Sequence, residues 1–304
     1  MATPRQRMKG KQRRQSIGEQ AVDAIKNVER KVEHALTCMD NHYILSGYRP
    51  ATESFKKSFA SLSYLHNESV NIYTHLLGAL LFLFFLIYLH SIVRPRYAHA
   101  TPSDILAFTT FFLSATTCLG MSATYHTISN HSPSVAKFGN QLDYLGIIVL
   151  IVGSSLPTIY YGFLCHATLI WTYWGMMCIF GSACAVVTFN PVFRTPKYRP
   201  FRAAMFVALG GAGVVPVLHG LYLFGAAALK ERVGLSWVLL EAALYVTGAT
   251  IYAARVPEKF WPGRFDLVGA SHQMFHSFVV AAALMHLKGL MVAFDGVHSR
   301  GGQC

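Results

Sequence analysis

Apolar residues along the chain gather in seven long runs that short polar segments separate. Each run is long enough for a helix that crosses a bilayer core, which needs about 20 apolar residues. Pro, Gly, Asn and basic residues fill the connections, as they do at helix ends. The predicted spans are 71–93, 103–127, 139–161, 167–189, 201–224, 235–254 and 271–293. The pattern therefore predicts an all-α membrane protein, built as a seven-transmembrane helix bundle.

Composition agrees with lipid as the solvent. Apolar residues make up 53% of the chain and charged residues only 13%, whereas soluble domains carry about 25% charged residues. No period of 20–50 residues repeats, which excludes a solenoid. Pro157 and Pro216 fall inside the third and fifth runs, so we expect kinks in those two helices.

The basic residues predict the orientation of the bundle. Of the 26 Lys and Arg residues, 12 precede the first span. With the N-terminus inside, we count 20 cations on inner segments and 6 on outer ones, which satisfies the positive-inside rule. We therefore predict a cytoplasmic N-terminus and an outer C-terminus, in the plasma membrane or the endoplasmic reticulum. The excess positive charge is then explained without a nucleic acid partner.

Cysteine usage and the first residues exclude two further features. The six cysteines are scattered and form no CxxC pair, so we expect neither a disulfide framework nor a thiolate metal site. The opening MATPRQRMKGKQRRQS has no apolar core of a signal peptide. This segment is accordingly expected to stay on the cytoplasmic side.

The region before the first span divides into three predicted segments. Residues 1–16 are expected to form a basic disordered tail, 17–52 a cytoplasmic amphipathic helix with a linker, and 53–70 an interfacial helix. Within 17–40, apolar residues recur at steps of three and four. That helix lies on the bundle or the membrane surface, or offers a cytoplasmic partner a coiled-coil site. The transmembrane domain is expected over 71–295, and a short outer tail over 296–304.

Ionisable groups inside a membrane are costly, and five polar residues fall at one predicted depth. They are Ser122 and His126 at the inner end of the second span, Asp143 in the third, and His272 and His276 at the start of the seventh. His272 and His276 are four positions apart, so they lie on one face of the helix. Three imidazoles and a water would make the open site of a catalytic zinc, with Asp143 orienting a ligand or the water. The alternative is that these histidines bond backbone carbonyls and lipid headgroups.

Other polar residues in the spans carry less weight. We expect His75 and Asn71 to form a hydrogen-bonded pair that packs helices. His219 and His286 are interpreted as satisfied core groups. Glu241 and Lys288 lie in the outer halves of their spans, where pairing or snorkelling to the interface is expected.

The segment between the sixth and seventh spans reads YAARVPEKFWPGRFDLVGASHQMFH, at 252–276. It is similar to the most distinctive segment of the progestin and adipoQ receptor family, also called the hemolysin III superfamily. The similarity extends over residues 43–293, and the branch resembled is that of adiponectin receptors and fungal zinc-homeostasis proteins. The further matching motifs are GYRP at 47–50, NIYTHLLG at 71–78, SATYHT at 122–127 and KFGNQLDYLG at 137–146.

The resemblance implies a function as well as a fold. It implies zinc on His126, His272 and His276, a metal-bound water held near Asp143, and a role for Ser122. Such proteins are associated with hydrolysis of ceramide to sphingosine and fatty acid, and with zinc and lipid homeostasis. We therefore expect a zinc-dependent lipid amide hydrolase and signalling receptor, with membrane lipids such as ceramide and free fatty acid as partners.

Three other function classes remain open from the sequence. A receptor or sensor with a structural zinc ion would need the same histidines. Zinc transport is less favoured, because no chain of carboxylates or histidines is apparent across the membrane depth. A rhodopsin is least favoured, since the predicted orientation is reversed.

Overall fold

The structure, a computed structural model, describes residues 41–89, 100–194 and 198–299, together with Val22. Backbone contacts divide the chain into one unit over Met1–Asn41 and another over His42–Cys304, and the fold described here is that of the second. The predicted tail and nearly all of the amphipathic helix at 17–40 lie outside the described residues. The same holds for the end of the chain beyond residue 299.

The described ranges contain α-helices, short 3-10 turns and no β-strand, which confirms the predicted all-α fold class. A short helix, α1 (Phe55–Ala60), precedes the bundle. The bundle helices are α2 (Ser69–Ile87), α3 (Pro102–Ile128), α4 (Pro133–Gly162), α5 (Ala167–Phe189), α6 (Arg199–Ala212), α7 (Val214–Arg232), α8 (Leu235–Ala254) and α9 (Ser271–His298). Because α6 and α7 together form one span, seven segments are long and apolar enough to cross a membrane.

The helix bounds lie close to the predicted spans, with a few informative differences. The interfacial segment is helical only over α1 and a 3-10 turn at Ser61–Ser63. Three spans are clearly longer than predicted, since α4 begins at Pro133, the fifth span continues to Arg232 and α9 continues to His298. Proline suits the first turn of a helix, where no amide donor is needed. The seventh helix thus occupies residues that we assigned to an outer tail.

The fifth span departs from a regular helix at two glycines. Gly213 separates α6 from α7, although its own φ and ψ, −65° and −18°, stay in the α-helical region. Pro216 has no amide hydrogen to donate to the carbonyl of residue 212, four positions earlier, so the helix lacks a hydrogen bond at this point. The clear break lies at Gly225, inside α7, where φ is 74° and ψ is 166°. The third span, by contrast, runs through Pro157 without interruption.

An aromatic core holds α2, α3 and α9 together. The rings of Phe82 and Phe111 meet edge to face with centroids 5.6 Å apart, and both side chains are fully buried. Phe108 packs edge to face on Phe294 of α9. Each such pair stabilises the fold by about 0.5–1.5 kcal/mol beyond the contribution of its buried area. This packing fixes the relative rotation of the three helices that carry most of the candidate site.

A polar cluster joins three helices at the end of the bundle opposite to His126, here called the far end. Asp104 caps α3 through Thr101. The Asp104 carboxylate also accepts the Tyr161 hydroxyl at 2.8 Å and lies 3.0 Å from His298 Nε2. Asp104 is 2% exposed, and a carboxylate buried so completely requires such partners.

The far end also contains a disulfide-bonded cysteine, which we did not expect. Cys165, in the turn between α4 and α5, is disulfide-bonded, whereas the other described cysteines, Cys118, Cys178 and Cys184, are free. The expectation that the chain forms no disulfide is therefore wrong at Cys165. The spacing of the cysteines along the sequence could not predict this bond, because a disulfide requires two cysteines that lie close together in space.

The polypeptide before α2 folds over the end of the bundle that carries His126, here called the triad end. Asp266, in the loop between α8 and α9, accepts the Leu45 amide at 3.0 Å and the Ser46 hydroxyl at 2.6 Å. In the same loop, fully buried Glu258 accepts the Ser271 amide at 2.8 Å and also the Ser271 hydroxyl. Glu258 thereby satisfies the start of α9, directly before His272.

Candidate metal centre

Three histidines from two helices converge at the triad end, as the sequence predicted. His126 is in the last turn of α3, and His272 and His276 are in the first two turns of α9. The His272 Nε2 atom lies 3.1 Å from His276 Nε2 and 3.4 Å from His126 Nε2. One ligand atom from each residue lies within 4.8 Å of the others. His126 and His276 are buried, and His272 is partly exposed.

These separations suit a single metal ion. A tetrahedral ion with metal–nitrogen bonds of about 2.0–2.1 Å holds its ligand nitrogens about 3.3 Å apart. The two measured Nε2 separations, 3.1 and 3.4 Å, lie on either side of that value. The structure therefore contains a buried histidine triad that could hold a metal ion.

The hydrogen bonds of the imidazoles indicate which nitrogens are free to ligate. His276 Nδ1 lies 3.1 Å from the carbonyl oxygen of Asn71. A carbonyl only accepts, so Nδ1 carries the proton and Nε2 of the neutral ring carries the lone pair. His126 Nδ1 faces a carboxylate oxygen of Glu68 at 2.7 Å, with the same consequence. Lone pairs then face one another at the centre of the triad, an arrangement that a bound cation stabilises.

Asp143 and Ser122 lie beside the triad, on α4 and α3. Asp143 lies near enough to His126 to interact with it electrostatically, and its carboxyl also interacts with the Ser122 side chain. The Ser122 hydroxyl is buried and lacks strict hydrogen-bond geometry to any described residue. The structure thus brings together all five residues that the sequence singled out.

Glu68 is the site residue that the sequence analysis missed. It immediately precedes α2, outside the apolar run, so a search for charges inside the spans passes over it. Its Oε2 atom contacts His126 and also accepts the side-chain amide of Asn71 at 2.7 Å. Burial opposes ionisation of this carboxyl, but His126 and the Asn71 amide outweigh burial and hold the pKa of Glu68 well below its usual range.

His75 also takes a different place from the one predicted. The expected hydrogen bond between His75 and Asn71 is not formed, because Asn71 donates to Glu68 instead. The His75 ring stacks on His276, and neither ring nitrogen has hydrogen-bond geometry to a described residue. His75 therefore contacts a member of the triad by its face.

Arg49 supports the triad from the segment before α2. Its guanidinium is buried and donates to the carbonyl oxygens of Thr127 and His126, in the last turn of α3. Further bonds reach Ser61 Oγ at 2.8 Å and Ser129 Oγ at 3.1 Å. A cation at a helix C-terminus satisfies free carbonyls and interacts favourably with the helix dipole.

The remaining ionisable residues of the spans are separate from the triad. His286 Nδ1 lies 2.9 Å from Glu241 Oε2, and His219 Nδ1 lies 2.7 Å from the Tyr173 hydroxyl. His286 is buried, as predicted, but its Nε2 atom has no hydrogen-bond partner among the described residues, and His219 is only partly buried. Glu241 pairs with His286 rather than with Lys288, whose side chain is exposed.

Comparison with known proteins finds relatives named as receptors or as heptahelical membrane proteins. A family model described as Haemolysin-III related matches residues 63–287. The ADIPOR-like receptor IZH2 of Saccharomyces cerevisiae is 42% identical over 259 residues, which cover 85% of this chain and 81% of that protein. Heptahelical transmembrane protein 1 of Arabidopsis thaliana is 36% identical over 264 residues, covering 84% and 78%.

An animal relative shows the same similarity over a smaller share of its length. The adiponectin receptor protein of Drosophila melanogaster is 41% identical over 251 residues, or 83% of this chain. The matched region spans only 56% of the fly protein. The multi-pass membrane assignment made from the sequence is confirmed by these relatives together with the seven apolar helices.

Proposed function

Since the chain belongs to the Haemolysin-III related family and is an adiponectin-receptor-like seven-helix membrane protein, we propose that it is a zinc-dependent hydrolase of ceramide-type lipid amides. The observation that carries this proposal is the convergence of three Nε2 atoms beside Asp143 and Ser122. Three neutral imidazoles with an open fourth position are typical of catalytic zinc sites. His126, His272 and His276 would hold the ion.

The chemistry divides between the ion and the side chains. When bound, zinc acidifies water and polarises a carbonyl oxygen. Hydrolysis breaks the amide C–N bond, adds the hydroxyl of water to the acyl carbon and transfers the other proton of that water to the leaving nitrogen. Asp143 would take this proton from the attacking water and return it to the leaving nitrogen. Ser122, whose hydroxyl is buried beside Asp143, would donate that hydroxyl to the developing oxyanion.

The location of the triad suits a membrane lipid as the substrate. The triad lies at the ends of α3 and α9, and we expect the ends of the spanning helices to lie near the membrane interface. The amide of a ceramide lies at that level while its acyl chains occupy the hydrocarbon core. We propose that such a lipid approaches from the bilayer, and that its products are a fatty acid and a sphingoid base.

One experiment separates the enzyme from a receptor without hydrolytic activity. The full-length chain is purified with zinc in lipid nanodiscs, its metal content is measured, and release of base from a long-chain ceramide is followed by mass spectrometry. Asp143→Asn should lower the hydrolysis rate at least tenfold, since a general base contributes about 10²–10⁴-fold. Zinc content should stay near that of the wild type, because all three imidazoles are retained. Asp295→Asn, a carboxylate change at the far end, is the matched control and should alter neither quantity.

The triad itself is tested by the metal content alone. The double variant His272→Ala/His276→Ala should lose zinc, because one imidazole does not hold the ion tightly. Retention of one zinc per chain in this variant would move the site elsewhere.

A signalling receptor with structural zinc is the second candidate, favoured by the naming of two of the relatives as receptors. In that case zinc is present at one per chain, and the wild type releases no base above the buffer blank. Asp143→Asn then shows no hydrolytic defect. That result would replace the hydrolase with the receptor as the function of the chain.

A further inference from the structure

The first turn of α2 contacts two of the three histidines on the side away from the triad centre. Glu68 Oε2 lies 2.7 Å from His126 Nδ1, and the Asn71 carbonyl lies 3.1 Å from His276 Nδ1. The Asn71 side-chain amide donates to the same oxygen of Glu68 at 2.7 Å. One helical turn therefore holds both rings by their Nδ1 atoms.

The Glu68 side chain does not serve the helix that it precedes. Short polar side chains such as Asp commonly accept a backbone amide of the first turn from this position. Here Glu68 is the N-cap residue of α2, yet its side chain makes no capping hydrogen bond. Its carboxylate points across to α3 instead. A substitution of Glu68 therefore does not remove a side-chain cap from α2.

We propose that Glu68 is the positioning residue of the metal centre, holding His126 with its proton on Nδ1 and its Nε2 lone pair toward the ion. The inference rests on the proposed zinc centre. An acceptor on the second ring nitrogen fixes the tautomer and orientation of a ligating histidine and raises its basicity. The Asn71 carbonyl fixes the tautomer and orientation of His276 in the same way. The position of α2 therefore determines the orientation of two of the three proposed ligands.

The chain offers a matched control for this proposal. Glu241 and His286 form the same kind of pair, with Oε2 and Nδ1 2.9 Å apart, between α8 and α9. Neither residue belongs to the triad. Removing the Glu241 carboxylate therefore costs the bundle a comparable pair without touching a proposed ligand.

The zinc dissociation constant of the full-length chain is measured in nanodiscs by competition with a chromophoric chelator. Loss of such a partner typically weakens metal binding by 10–100-fold, which we expect for Glu68→Ala. Glu68→Gln should lie between Glu68→Ala and the wild type, because its amide oxygen still accepts from His126 but carries no charge. Glu241→Gln should bind zinc as the wild type does. In the cobalt-substituted protein, the visible absorption bands should shift for Glu68→Ala and not for Glu241→Gln.

Three results would count against the proposal, and they are distinguishable. Wild-type affinity in both Glu68 variants would show that His126 needs no positioning, while leaving the zinc centre in place. Equal weakening in Glu68→Ala and Glu241→Gln would show a general loss of stability. A wild type that binds no zinc would remove the metal centre itself. Unfolding temperatures of the zinc-free variants, matched to the zinc-free wild type, identify a loss of affinity that does not come from misfolding.

Discussion

His75 and His276 stack face to face, with ring centroids 3.7 Å apart and planes inclined by only 7°. The two residues lie on different helices, α2 and α9, and both are buried. His276 is also held through Nδ1 by the Asn71 carbonyl, one turn before His75. The ring that we assign to zinc is therefore fixed both at its edge and on its face.

The stack predicts that the flat ring of His75 matters more than its nitrogens. His75→Phe keeps the stacked surface and should leave the zinc dissociation constant nearly unchanged. His75→Ala leaves His276 unsupported, and we expect roughly tenfold weaker binding. The chelator competition described above measures both variants. If the phenylalanine variant is as weak as the alanine variant, the imidazole nitrogens of His75 take part in the site.

Arg49 is predicted to stabilise the triad end through the geometry of its guanidinium. Arg49→Lys keeps the charge, but a single ammonium does not reach four acceptors on α3 and the 3-10 turn. Each lost bond to a charged group costs about 1.5–3 kcal/mol. We expect a clearly lower unfolding temperature by differential scanning fluorimetry. Lys57→Ala, an exposed change in α1, is the control and should leave the unfolding temperature unaltered.

His66 predicts a loss of stability in mild acid. Burial and the nearby Arg49 lower its pKa to about 4 from the model-peptide value of 6.5. Below pH 6.5 the His66 ring of the unfolded chain binds a proton, whereas the ring of the folded chain binds one only near pH 4. The free energy of unfolding therefore falls as pH falls through this window. His66 Nδ1 also accepts the Glu68 amide at 3.1 Å, which requires the neutral ring.

The measurement is the unfolding temperature as a function of pH. The contribution of His66 reaches about 3 kcal/mol at pH 4. His66→Asn retains a side-chain acceptor without a titrating group and should flatten the profile between pH 6.5 and 4. An unchanged profile in this variant would assign the acid sensitivity to other groups.

We predict that the triad end is cytoplasmic and the far end is outside. The cation count motivates this orientation, and disulfides persist in oxidising compartments, which agrees with the bonded Cys165 at the far end. Glycosylation acceptors inserted at 163–166 should be modified, and acceptors at 190–198 should not. Reporters on the two chain termini should fall on opposite sides, and the same side for both would contradict seven spans.

The first 40 residues are predicted to be dispensable for the bundle and the metal centre. They precede the region matched by the family model, which begins at residue 63, and they are proposed to contact a cytoplasmic partner or the membrane surface. Deletion of residues 1–40 should leave the unfolding temperature and zinc content near those of the full chain. Loss of either property would assign this segment a role in folding.

The sequence alone determined the helices, because the cost of exposing apolar side chains and unpaired backbone groups is local to each run. It also determined the level of the site. A residue's position along a spanning helix converts directly to depth, at about 1.5 Å per residue. His126, Asp143 and His272 could therefore be assigned to one layer before any contact was known, and the structure places them there.

Tertiary structure decided which side chains meet within a layer. Glu68 and His126 are 58 positions apart, and the Glu241 and His286 pair spans 45. Depth does not tell which way a helix is rotated about its axis, and that rotation is set by packing of whole helix faces, such as the aromatic core of α2, α3 and α9. The carboxylate that orients His126, the ring that stacks on His276 and the guanidinium beneath α3 all depend on this rotation. They could be found only once the helices were packed together.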